Sequence, residues 1–269
     1  MADLTTVAKV LLFAGATVAV GEAMLPPRVC ACCRTPRGRA LLRAGAVAAL
    51  LLAPLLWLQA QRSALELPWA EVSALLNGGW GRNWTKLLAA CLVTAVALPR
   101  RFGRFSSPVL WAGVVALAIA IGGLGHANAG EWVVAARAVD AAHVLAMGAW
   151  IGALVLAIAD GPSDDIGARW RRMSAIATIA APLAVITGVM SSLRLLGASS
   201  PRAILSAPYG QMLLLKTVLV LVILAFGAAQ RRNVHAVGVP SSRAVRLEVI
   251  LATVVIVLTA VLTGSEPPE

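Results

Sequence analysis

Eight apolar runs divide this chain from end to end, and each is close to the length of a membrane span. A helix crossing the hydrocarbon core needs about 20 apolar residues, because each residue rises only about 1.5 Å. The runs are Leu4–Met24, Ala40–Ala60, Asn83–Leu98, Pro108–Gly125, Val133–Ala159, Met173–Leu196, Tyr209–Gln230 and Val245–Thr263. Inside lipid no water satisfies backbone N–H and C=O groups, so such runs fold as helices. The expected fold is all-α: a polytopic membrane helix bundle with eight transmembrane helices. Residues 1–269 then form a single integral membrane domain.

Composition enters as a check. Charged residues make up 13% of the chain, against about 25% in soluble proteins. The net charge of +11 would suit a nucleic-acid partner if it formed one patch. Instead the arginines recur in short clusters between apolar runs, which marks membrane topology and excludes nucleic acid. The lipid bilayer is the expected partner. The first run is N-terminal and could pass for a signal peptide. However, Asp3 sits in its leading segment, Lys9 is its only basic residue, and no clean small-residue cleavage site follows, so a retained helix is expected.

The arginines also orient the chain. Arg28, Arg34, Arg37, Arg39 and Arg43 lie between or beside the first two runs; Arg100, Arg101 and Arg104 lie between the third and fourth. Arg169, Arg171 and Arg172 precede the sixth, and Arg231, Arg232, Arg243 and Arg246 flank the seventh and eighth. The alternate loops hold only Arg62 and Arg82, then Arg194 and Arg202. The positive-inside rule places both termini on the periplasmic side.

Ionisable groups inside spanning segments are costly and mark functional sites by default. Here Asp140, His143 and Met147 follow i, i+3, i+7 spacing, which sets them on one helix face, with Trp150 continuing the stripe. His126 ends the fourth run and is joined to the fifth by a short loop, so the two histidines can approach each other near the outer surface. Imidazole suits copper and zinc, and a thioether adds preference for Cu(I). Asp140 could orient His143, bind metal itself, or simply hydrogen-bond His143 to glue the bundle. Met190 and Met212 fall in the outer halves of their helices under this topology. Cys30, Cys32 and Cys33 form a soft-ligand cluster on the inner side, with palmitoylation as the other reading. No phosphate-binding glycine loop, Ser-His-Asp set or metalloprotease helix occurs, so a transporter or metal-binding protein is expected rather than an enzyme.

The chain resembles the copper resistance protein D (CopD) family. The stretches that carry the resemblance are "WGRNWTK", "GHA", "DAAHVLAMGAWIGAL", "ITGVMSS", "APYGQMLLLK" and "RLEVILATVVIVLTAVLT". In order they run from about Trp80 to the end of the chain. The resemblance implies a protein of the bacterial inner membrane that moves copper, as Cu(I) or Cu(II), toward the cytoplasm. It implies a periplasmic copper-binding protein as partner, and a homodimer is a further option. It assigns His126, Asp140 and His143 to the family's motif positions. Trp150, Tyr209, Lys216 and Glu248 fall on others as supporting groups. Two alternatives stand beside this expectation. One is a redox membrane protein holding haem or a copper centre through the same histidines. The other is a structural subunit whose polar groups tie helices together.

Overall fold

The computed structural model describes residues 3–25, 37–99, 106–124, 132–161, 166–196, 206–237 and 239–265. His126 and the cluster Cys30, Cys32 and Cys33 lie outside the described residues. The described chain is helical from end to end. The elements are α1 (Leu4–Met24), α2 (Arg37–Ala64), the short α3 (Val72–Asn77), α4 (Gly79–Ala97) and α5 (Ser106–Gly122). There follow α6 (Val133–Met147), α7 (Ala153–Ala159), α8 (Ile166–Leu196), α9 (Pro208–Val237) and α10 (Ser242–Leu262). A π-helical turn, Gly148–Gly152, joins α6 to α7, so the two continue one another.

All eight apolar runs are thus helical. Six units are long and apolar enough to cross a membrane: α1, α2, the continuous Val133–Ala159, α8, α9 and α10. α5 is apolar but shorter. α4 carries Arg82, Asn83 and Lys86 in its first turns, which lowers its hydropathy. The outer surface exposes Ile179, Leu193, Val96 and Leu221. Water would penalise such a surface, whereas lipid tails accept it.

α1 is the hub of the bundle. It packs against α2, α5, α6, the π turn, α7 and α10. The approach to the π turn is very close because both sides are small. A methyl group on Gly148 would come within 2.7 Å of Val20 Cβ, and one on Gly21 within 2.7 Å of Gly152 Cα. One on Gly152 would run into the Thr17 carbonyl. Small residues spaced four apart let membrane helices bring their backbones together, and the sequence Gly148-Ala-Trp-Ile-Gly152 has that spacing.

At the opposite end from the α1 N-terminus, an ion cluster ties four helices. Arg39 Nε donates to Glu22 Oε1 at 2.7 Å, and Arg43 Nη2 donates to Glu22 Oε2 at 2.8 Å. Arg39 also donates to the Leu25 carbonyl, and its Nη1 donates to Asp160 Oδ2 at 2.8 Å. Arg169 donates to the carbonyl of Gly161 at 2.9 Å. The side chains of Glu22 and Arg39 are 0% and 1% exposed. Sequence patterning put Arg39 in a basic loop. In the structure α2 begins at Arg37, and Arg39 is a buried partner of Glu22. Trp84 is likewise buried, its Nε1 donating to the Pro54 carbonyl at 2.9 Å.

At the other end Lys9 Nζ donates to the Thr263 carbonyl at 2.8 Å and lies over the Trp57 ring. That contact sets the start of α1 beside the end of α10, so the two ends of the described chain share one end of the bundle.

Candidate metal site

Asp140, His143 and Met147 lie on α6, whose apolar periodicity points this face toward α8 and α9 rather than lipid. All three line one chamber of about 420 Å³. Its walls come from α1, α5, α6, α8, α9 and α10, and it also takes in Lys9, Arg194, Tyr209 and Lys216. Most of the lining is apolar, with a few converging polar groups, the usual make-up of a ligand site.

His143 is held by α8. Its Nδ1 lies 2.9 Å from the Ala184 carbonyl and 3.1 Å from Thr187 Oγ1. A carbonyl can only accept, so Nδ1 carries the proton and Nε2 keeps its lone pair. Thr187 Oγ1 spends its own proton on the Leu183 carbonyl at 2.7 Å, which leaves it an acceptor for the same N–H. Nε2 has no hydrogen-bond partner among the described residues. This is the tautomer a metal-ligating histidine needs, fixed by a backbone carbonyl as such ligands usually are. Gly188 lets the ring approach: a methyl group there would lie 3.1 Å from His143 Cε1.

Asp140 does not provide that orientation. It accepts from Ser191 Oγ at 2.7 Å and faces Arg194 Nη2 at 3.9 Å. The two groups therefore share the chamber through different neighbours on α8. Thr187, Gly188 and Ser191 all fall in "ITGVMSS", a stretch singled out in the sequence without roles for these residues. Met190 is half exposed on the outer face of α8, and Met212 is not among the residues lining the chamber. Among the described residues no three His, Cys, Asp or Glu side chains gather as a metal site. Any cation held here by His143 would thus draw on Asp140, on the Met147 thioether, or on groups outside the described residues. Lys216 opposes a cation, since it faces the chamber without an ion-pair partner among the described residues.

A second chamber of about 590 Å³ lies toward the other end of α8, α9 and α10. Met173, Ser174, His235 and Glu248 are among its lining residues. Trp150, in the π turn, is the single residue lining both chambers among those described.

The architecture is that of a multi-pass membrane protein with largely apolar chambers, each holding a few polar groups, built into a helix bundle. Residues 167–262, the stretch that runs through α8, α9 and α10, match the family model of copper resistance protein D. The matched residues supply Thr187, Gly188, Ser191, Tyr209, Lys216 and Glu248. The resemblance read in the stretches from Trp80 to Leu154 lies outside them. No curated protein and no solved structure matches the chain.

Proposed function

We propose that the protein carries copper across the inner membrane toward the cytoplasm, taking it up in the chamber that holds His143, Asp140 and Met147. The observation that carries this reading is the fixed tautomer of His143, whose unpartnered Nε2 shares a chamber with a thioether. That nitrogen, free of partners among the described residues, is positioned to ligate a soft cation together with the thioether. His126, between α5 and α6 in the sequence and outside the described residues, completes the proposed set. The proposed topology has eight spans, with α4 and α5 as the two shorter ones and both termini periplasmic. The arginine alternation supports that orientation, and the pairing of Lys9 with the end of α10 supports the shared side. The chamber of His143 then opens on the periplasmic half, where a periplasmic copper-binding protein would hand over its cargo. Direct haem ligation has less support, because the described residues bring only one histidine to the chamber.

Copper titration of the detergent-purified chain tests the site. Asp140→Asn keeps the hydrogen bond from Ser191 but removes the charge that balances Arg194 and the cargo. It should weaken copper binding, because Arg194 and Lys216 then repel the cargo with no carboxylate to offset them. A wild-type protein that binds no copper would overturn the reading. For topology, a C-terminal reporter that matures only in the cytoplasm should stay dark, and a bright one would require an odd number of spans or the opposite orientation.

A further inference from the structure

Glu248 has no role in the uptake site, yet it is placed at a cost. It is 4% exposed, lines the second chamber, and has no hydrogen-bond or ion-pair partner among the described residues. Burying an ionised carboxylate without a partner is among the most unfavourable arrangements a bundle can hold, so the group must keep a proton or a cation with it. Its surroundings offer mixed hard and soft donors to a cation. Met173, 9% exposed, offers a thioether to the same chamber, and Ser174 and Thr178 offer hydroxyl oxygens. The other titratable groups lining the chamber are Arg231, Arg232 and His235, all from the end of α9; both arginines are solvent-exposed, and neither forms an ion pair with Glu248. α8, the π turn and α7 bring no titratable group to it.

We propose that the second chamber is a distinct cation site, with the Glu248 carboxylate and the Met173 thioether as its ligands, separated from the uptake chamber by Trp150. Copper arriving there displaces the carboxyl proton: the O–H bond breaks, the Cu–O bond forms, and the proton passes to water at the arginine-lined mouth. Trp150 closes the way between the chambers. It sits in a π turn, a local irregularity often found at functional positions, where a small change in helix winding would swing the indole. One cargo ion at a time would thus be seen by each side.

This inference rests on the proposed copper function, and the experiment separates the two. Cu(I) is titrated into the purified full chain in weak buffer, and Cu(I) uptake is followed in proteoliposomes. Wild type should bind two equivalents, the second releasing a proton. Glu248→Gln should bind one, with the affinity of the uptake site unchanged and uptake slowed at least about 10-fold. Glu248→Asp, which keeps a carboxylate, should recover the second equivalent, and thermal melts confirm that both variants fold. A wild type binding no copper overturns the copper function and this inference together. A wild type binding one equivalent that survives in Glu248→Gln overturns this inference alone. So does a folded Glu248→Asp that stays at one equivalent, or a Glu248→Gln with wild-type stoichiometry and uptake.

Discussion

His143→Ala should abolish copper binding while leaving the bundle folded. The two consequences can be compared in size. The hydrogen bonds lost are those from Nδ1 to the Ala184 carbonyl and Thr187. Side-chain hydrogen bonds between membrane helices average about 0.6 kcal/mol and reach about 1.7. The Ala184 carbonyl lies inside α8, where the helical ladder still pairs it. The cost to folding is therefore small. The cost to binding is the whole ligand, and should exceed the roughly 100-fold at the upper end of losses for supporting groups. Gly188→Ala offers a graded companion, since its methyl group at 3.1 Å from Cε1 must push the ring away from α8. The measurement is copper titration beside a thermal melt. A folded His143→Ala protein with wild-type affinity would make His143 bundle glue and move the copper site elsewhere.

Glu22→Ala should be the most destabilising single change among the polar residues, by about 3–5 kcal/mol. Glu22 is fully buried and accepts from both Arg39 and Arg43. Removing it strands Arg39, itself 1% exposed, with Asp160 as its remaining carboxylate. Breaking a buried pair costs more than the pair contributes, because the surviving charge loses its partner without regaining water. The lesion would sit where α1, α2 and α7 meet, so it should loosen the hub helix. The expected result is a strongly lowered melting temperature and aggregation of the purified protein. Copper affinity of any folded fraction should be unchanged, since the cluster and the chamber of His143 lie at opposite ends of α1. A melting temperature equal to wild type would show that the cluster is hydrated and contributes little.

Hydropathy alone located every long helix. α1 has the expected bounds, and the unit from Val133 to Ala159 begins and ends where expected. The misses fall at the polar ends. α8 starts at Ile166 rather than Met173, and α2 at Arg37 rather than Ala40. Arginines there continue the helix past the apolar run, and a reading by apolarity stops where the charges begin. The face shared by Asp140, His143 and Met147 was legible, because helical spacing is a local property. Which neighbours those residues meet was not.

Length and apolarity of each run dictated helices, since a backbone in lipid has no other way to satisfy its polar groups. Charge alternation dictated a reading of orientation. Only the tertiary structure decided that Ala184 and Thr187, rather than Asp140, hold His143, and that Arg39 is buried against Glu22. It alone set the π turn against α1 and left Trp150 between two chambers. These outcomes depend on which helices pack together and at what rotation. That is settled by contacts between residues far apart in the chain, such as Gly21 with Gly152, and no local pattern of apolarity or charge encodes such a pairing.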